Sequence, residues 1–198
     1  MPLNLVIFGP PGSGKGTQSI RIAKKHNLLH VSTGEIFRKE IENQTEIGIT
    51  AKNFVDQGLL IPDDLIIGKI MPLMESNKEG EGFIFDGFPR TIYQAQALDQ
   101  HLQKENTSVN LAIFINVELC ECLNRMTGRS VDSGRSDDIQ EIMLKRMDVY
   151  NTNTKPLIEY YQSQGKYSSI SGMAPVDIVS SQIHNIIDKH LELANFSK

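Results

Sequence analysis

Short apolar runs recur along the chain, and stretches with helical spacing separate them. The runs are rich in Ile, Val, Leu and Phe, and they are mostly continuous rather than alternating with polar residues. This pattern is typical of parallel strands whose two faces are both covered by helices. We therefore predict an α/β fold with a doubly wound, five-stranded parallel sheet. The predicted strands are Leu3–Phe8, Leu28–Val31, Gly82–Asp86, Leu111–Asn116 and the more polar Lys166–Ser171.

Helical periodicity fills most of the segments between these strands. The longest predicted helix is expected to bend or break near Pro156, because proline disrupts the helix interior. The predicted helices are Lys15–His26, Thr91–Glu105, Glu118–Met126, Asp138–Gln164 and Pro175–Leu193.

Two segments interrupt the alternation of strands and helices. Residues 32–61 are predicted to hold short helices, the first opened by a capping box from Ser32 to Glu35. Residues 128–138 are predicted to form a short polar loop. Both lie where open α/β sheets bind ligands, so we expect a small helical lobe at 32–61 and a short lid at 128–138. The remaining core of this single domain, 1–198, is expected to comprise 1–31, 62–127 and 139–198.

The sequence GPPGSGKGT at Gly9–Thr17 directly follows the first predicted strand and precedes a predicted helix. It matches the phosphate-binding loop G-x-x-x-x-G-K, in which backbone N–H groups and a lysine surround phosphate oxygens. In this chain Gly16 replaces the usual Ser or Thr after Lys15, and the hydroxyl comes one residue later, at Thr17. The segment therefore predicts a nucleotide phosphate site, without a magnesium ligand at position 16.

Composition narrows the possible functions. The chain has 198 residues, 39% of them hydrophobic and 22% charged, which indicates a globular α/β protein. A net charge of −4 gives no reason to expect nucleic-acid binding. With no apolar run long enough for a membrane span and no targeting segment, we expect a cytoplasmic protein without membrane partners. The histidines and cysteines show no ligand spacing, so no zinc is expected.

Charged residues gather at the predicted carboxyl edge of the sheet. Asp86 ends the third strand, where a carboxylate can hold Mg²⁺ directly or through water, although it could instead cap the next turn. Arginines follow at the same edge; each could lie on a solvated surface, but a phosphate loop favours phosphate binding. These arginines are Arg38, Arg90, Arg125, Arg129, Arg135 and Arg146.

Gln94 has two interpretations from the sequence. With Thr91 it forms a T-x-x-Q capping box at the start of a helix. Its amide could equally bind the edge of a nucleobase. The residues alone do not decide between these two roles.

Several motifs in order give the chain a resemblance to the adenylate kinases, within the nucleoside monophosphate kinases, over essentially its whole length. They are GPPGSGKGTQ, STGEIFR, DGFPRTIYQA, RMTGR, GRSDD and the KRM around Arg146. Only five residues separate Arg129 from Arg135, so the sequence resembles the short-lid form. The resemblance implies a reversible, Mg²⁺-dependent transfer from ATP to AMP that gives two ADP and serves adenine nucleotide homeostasis.

The resemblance also assigns roles to residues. It implies catalytic roles for Lys15, Arg90, Arg125, Arg135 and Arg146. For Gln94 it favours adenine recognition over helix capping. ATP is expected to contact Gly12, Ser13, Gly14, Lys15, Gly16, Thr17, Arg129 and Ala174. AMP is expected to contact Thr33, Arg38, Leu59, Leu60, Ile61, Gly87, Phe88, Pro89, Arg90, Gln94, Arg135 and Arg146.

Two alternatives stay open at this stage. CMP/UMP kinases resemble this chain, but they usually carry alanine at the position of Thr33 and lack the glutamine at Gln94. A nucleotide-binding switch would need the phosphate loop but no second nucleotide pocket. The expected partners are ATP, AMP and ADP, and the expected oligomeric state is a monomer.

Overall fold

A computed structural model describes residues 2–77, 80–133 and 140–196 of the chain. Five parallel strands form one sheet in the order β2-β3-β1-β4-β5. This confirms the predicted α/β fold, and every predicted strand is present. The strands are β1 (Leu5–Phe8), β2 (Leu29–Ser32), β3 (Phe83–Asp86), β4 (Leu111–Asn116) and β5 (Tyr167–Ser171).

Helices cover both faces of the sheet. They are α1 (Lys15–His26), α2 (Thr33–Glu42), α3 (Glu46–Val55), α4 (Asp63–Glu75), α5 (Ile92–Lys104), α6 (Leu119–Ser133), α7 (Gln140–Val149), α8 (Leu157–Ser163) and α9 (Val176–Phe196). A π-helical turn, Tyr150–Thr154, joins α7 to the segment before α8. None of the helices within the described ranges is both long and apolar enough to cross a bilayer.

Alternate residues of the central strands pack into two separate hydrophobic cores, one on each face of the sheet. Val6 and Phe8 of β1 pack in the core beneath α4, α5 and α8, together with Leu98 and Tyr161. Leu5 and Ile7 pack on the other face, in the core beneath α1 and α9. Successive side chains of a strand point to opposite faces, so a continuous apolar run is what a sheet covered on both faces requires.

The parallel sheet places the segments that carry predicted site residues at one edge. In the parallel register, Val6 lies beside Phe85 and Ile7 lies beside Asp86. Ser32 at the end of β2 also lies beside Asp86. The carboxyl ends of β1, β2 and β3, and the segments that follow them, therefore meet at the same edge, as expected for a ligand-binding open sheet.

Two helices differ from the prediction, and one predicted break is confirmed. Helix α4 was not predicted; it contains Gly68 and Pro72, both unfavourable in helix interiors. Helix α6 continues to Ser133 rather than ending at Met126, so residues 128–133 of the predicted loop are helical. The predicted break near Pro156 is confirmed as the π-helical turn followed by α8, which begins at Leu157.

Candidate active site

The loop between β1 and α1 has the backbone that a phosphate cradle requires. Gly12 has φ +82°, and a Cβ there would lie 2.5 Å from the carbonyl oxygen of Cys122 on α6. Gly14, with φ +90°, precedes the first residue of α1, Lys15. The first turn of α1 carries no acidic side chain and Gly14 has no side chain to cap it, so its N–H groups are suited to an anion.

Lys15 lies at the junction of two adjoining cavities and lines both of them. Its Nζ donates hydrogen bonds to the carbonyl oxygens of Gly9 and Pro10, each at 3.0 Å. Burial lowers the pKa of Lys15 to about 8; Asp86 opposes this shift, whereas Arg90 and Arg146 add to it. A lysine held with other cations in this way is poised to receive a polyanion.

The first of these two cavities, the loop-side cavity, is lined by the phosphate loop and by the start of α9. Gly172 and Ala174, which follow β5, also line it. Arg125 donates from Nη2 to the carbonyl oxygen of Gly172 at 2.9 Å and from Nε to Glu121 at 2.7 Å. The predicted ATP residues that line this cavity are Gly12, Ser13, Gly14, Lys15, Gly16, Thr17, Arg129 and Ala174.

Asp86 lines the loop-side cavity, as does Glu35 on α2. It accepts a hydrogen bond from Ser32 Oγ at 3.4 Å, and His30 Nε2 lies 3.7 Å away, too far for a hydrogen bond. Burial would raise the pKa of Asp86, but the neighbouring His30 and the charge of Lys15 outweigh it and lower the pKa.

A hard, ionised oxygen beside a phosphate site fits Mg²⁺. Asp86 lies in contact range of position 16, where a Cβ would be 3.4 Å from its Oδ2. Within the described residues no three His, Cys, Asp or Glu side chains cluster as metal ligands. One carboxylate fits an ion whose other ligands are water and phosphate oxygens.

The lobe-side cavity lies between α2, the end of α3 and the loop after β3. It is lined by residues from 33–61, together with Gly87, Gln94 and Tyr150. The predicted AMP residues that line it are Thr33, Arg38, Leu59, Leu60, Ile61, Gly87, Pro89, Arg90, Gln94 and Arg146. Phe88 differs: its side chain is fully buried in the core and packs edge-on against Phe85 at 6.0 Å.

The loop after β3 is held by hydrogen bonds at both of its ends. The carbonyl oxygen of Gly87 accepts from Thr33 Oγ1 at 2.8 Å and from Arg90 Nε at 2.9 Å. The backbone N–H of Arg90 donates to Gln94 Oε1 at 2.8 Å, and Thr154 Oγ1 donates to the carbonyl oxygen of Arg90 at 2.9 Å. Arg90 is thereby fixed where its side chain lines both cavities.

Arginines from four elements meet around the two cavities. Arg38, Arg90 and Arg146 line both cavities, and Arg125 and Arg129 line the loop-side cavity. Arg135 and the part of the predicted lid at 134–138 lie outside the described residues. Five arginines and Lys15 therefore lie around the two cavities. Their positive charges could stabilise negative charge on a group that is transferred from one cavity to the other.

Several residues that shape the lobe-side cavity are not among the predicted site residues. Phe37 lines it, and the capping box at Ser32 carried the signal, since position 37 lies one helical turn from Thr33 on the same face. Tyr150 and Thr154 line it from the π-helical turn. Nothing in the local sequence predicts a π-helix there, although such turns often occur at functional sites.

A family model and several known proteins that are similar to this chain all carry the same description. The family model that matches residues 7–166 is described as adenylate kinase. An adenylate kinase of Bacteroides fragilis is 46% identical over 186 residues, which is 94% of this chain and 98% of the relative. One of Bacteroides thetaiotaomicron is 46% identical over 187 residues, with 94% and 99% covered. One of Porphyromonas gingivalis is 38% identical over 193 residues, with 98% and 100% covered.

Proposed function

Because this chain belongs to the adenylate kinase family, we propose that it catalyses the reversible transfer of the γ-phosphoryl group of ATP to AMP, giving two ADP. The observation that carries this proposal is the pair of adjoining cavities. One contains a phosphate loop, the other contains Thr33 and Gln94, and both are lined by Lys15, Arg38, Arg90 and Arg146.

In this mechanism ATP occupies the loop-side cavity. The N–H groups of the phosphate loop, from Gly12 to Thr17, hold its phosphates, with Arg129 beside them and the backbone near Ala174 beside the adenine. Asp86 would hold Mg²⁺ through water, and the ion would supply charge neutralisation on the phosphates when bound. The lowered pKa of Asp86 supports this role, because the carboxylate stays ionised at neutral pH.

AMP occupies the lobe-side cavity. Arg38 and Arg90 hold its phosphate, Gln94 and Thr33 lie at the adenine, and the backbone of Leu59–Ile61 lies along the nucleoside. The hydrogen bond from the Arg90 backbone N–H to Gln94 Oε1 supports a pocket that positions phosphate and base together.

Transfer then proceeds directly between the two nucleotides. Lys15, Arg90, Arg125, Arg135 and Arg146 neutralise charge on the transferring group, and positioning supplies the rest of the catalysis. Closure of the lobe at 32–61 over AMP and of the lid at 128–138 over ATP excludes water, which would otherwise hydrolyse ATP. We place the enzyme in the cytoplasm as a monomer.

The direct test is product stoichiometry. With ATP, Mg²⁺ and AMP, the chain should form two ADP for each AMP consumed, and it should form almost none when AMP is omitted. ADP formation that does not depend on AMP would instead indicate a nucleotide-hydrolysing switch.

Closure has its own test. A bisubstrate analogue with two adenosines joined by a phosphate chain should reduce the radius of gyration in solution scattering. It should also shorten label-to-label distances between the lobe and the core. Unchanged scattering and distances with the analogue bound would remove closure from the mechanism.

A further inference from the structure

A network of hydrogen bonds fixes the orientation of the Gln94 side-chain amide. Its Nε2 donates to Asp63 Oδ1 at 2.7 Å, and its Oε1 accepts from the backbone N–H of Arg90 at 2.8 Å. The other carboxylate oxygen of Asp63 accepts from Thr91 Oγ1 at 2.9 Å. Thr91 itself caps α5 by accepting from the Gln94 backbone N–H at 3.1 Å.

Each partner of the amide permits only one orientation. A carboxylate offers only acceptors, so Asp63 requires the nitrogen of Gln94 on its side. A backbone N–H is only a donor, so Arg90 requires the oxygen. Rotating the amide by half a turn would set oxygen against the Asp63 carboxylate and nitrogen against the Arg90 N–H. Gln94 is 2% exposed, so water could not compensate for these losses.

The fixed amide leaves one hydrogen-bonding pattern for the cavity that Gln94 lines. The second hydrogen on Nε2 and the second lone pair on Oε1 are still available. Adenine presents an acceptor at N1 and a donor at its 6-amino group, which this pair complements. Hypoxanthine and guanine present the reverse, a donor at N1 and an acceptor at O6, which only the rotated amide would complement.

We infer that Asp63 is a specificity-determining positioning residue, which selects adenine over 6-oxopurine monophosphates by holding the Gln94 amide in one orientation. This inference rests on the proposed function, because it deepens the role of the same acceptor site. Asp63 acts on the base only through Gln94, from the first turn of α4.

The experiment compares AMP with IMP as acceptors, since the two differ at the N1 and C6 edge that the amide reads. Asp63→Asn replaces an acceptor-only group by one that can also donate, and it therefore tolerates the rotated amide. We expect the ratio of kcat/KM for AMP to that for IMP to fall about tenfold, as for the loss of one hydrogen bond to a charged group. The Arg90 N–H still favours the original orientation, so selectivity should fall without inverting.

Asp64→Asn is the matched control, because Asp64 is an exposed carboxylate in the same first turn of α4. It should leave the AMP-to-IMP ratio at the wild-type value. Asp63→Glu keeps an acceptor-only carboxylate and should recover part of the selectivity. If Asp63→Asn lacks a cooperative thermal transition, Asp63→Ser provides the second test, because its hydroxyl also both donates and accepts.

Two failures are distinguishable. If the wild-type chain phosphorylates AMP and Asp63→Asn changes the AMP and IMP values by the same factor, Asp63 is merely structural and the inference is wrong. If the wild-type chain makes no ADP from AMP, the proposed function itself fails.

Discussion

Replacing Arg90 by alanine should separate catalysis from folding. The variant loses the hydrogen bond from Arg90 Nε to the Gly87 carbonyl oxygen, but it keeps the backbone bonds to Gln94 and Thr154. The Arg90 side chain lines the cavities, and each net hydrogen bond lost contributes about 1 kcal/mol to stability, so the thermal transition should shift by only a few degrees for each bond.

The effect on turnover should be far larger. Arginines that neutralise charge in phosphoryl transfer contribute about 10³–10⁵ in rate. Lys15, Arg38 and Arg146 still line both cavities in the variant, so we expect the lower end, about 10³-fold. That corresponds to about 4 kcal/mol of lost transition-state stabilisation. The turnover of Arg90→Lys should lie between that of the wild type and that of Arg90→Ala, because lysine keeps the positive charge but lacks the planar guanidinium group.

The assay is ADP formation from ATP and AMP in a coupled spectrophotometric reaction, with a melting curve for each protein. Arg21→Ala is the control, because Arg21 pairs with Asp177 on an exposed surface between α1 and α9. It should retain wild-type kcat. If Arg90→Ala turned over within about tenfold of wild type while folded, Arg90 would have no place in the transfer step.

Three further outcomes follow from the geometry. The kcat/KM for ATP should fall as the pH rises through about 8, because unliganded Lys15 then loses its proton, whereas kcat should persist to higher pH because bound phosphates favour the charged form; a kcat/KM profile that is flat across this range would contradict the role of Lys15. Thr154→Val should lower kcat more than it raises the KM for AMP, because the Arg90 carbonyl oxygen loses its partner, and unchanged kinetics would show that this bond does not position Arg90. Gly12→Ala should lower the free energy of unfolding by clearly more than Gly14→Ala, because both have positive φ but only the Cβ at position 12 meets a backbone carbonyl on α6; equal losses in urea denaturation would disprove the clash.

The sheet could be predicted because its physical requirement is local. Each strand needs a short apolar run, and Val6 and Ile7 illustrate why the run is continuous, since one faces each core. Helix α1 begins directly after the glycine-rich turn. It ends at Asn27, whose left-handed backbone conformation, φ +53°, cannot continue the helix.

The helix errors have a common cause. Gly68, Pro72 and Gly128 are unfavourable in a helix interior, by about 1 kcal/mol for glycine and about 3 for proline. In α4 the burial of Ile66 and Ile70 against the core outweighs that cost. The sequence displays the local penalty, whereas the compensating tertiary contact exists only in the fold.

The site was predictable where a motif carries its own geometry and less so elsewhere. The phosphate loop and the capping boxes at Ser32 and Thr91 are local, and in each box the hydroxyl accepts from the backbone N–H three residues on. The Gln94 side chain does not return the bond to Thr91, because its Oε1 accepts from the backbone N–H of Arg90 instead. Asp63 lies thirty-one residues from Gln94, and no periodicity links the two. Such a pair is visible only once α4 and α5 pack together.

Direct transfer requires that one cavity bind ATP while the adjoining cavity binds an adenine monophosphate. The most direct measurement is phosphoryl transfer from ATP with Mg²⁺ to AMP, CMP, UMP and GMP in parallel, with a control that lacks an acceptor. We expect fast ADP formation only with AMP. A preference for CMP or UMP would contradict the assignments of Thr33 and Gln94, and equal ADP formation without any acceptor would contradict the two-site mechanism itself.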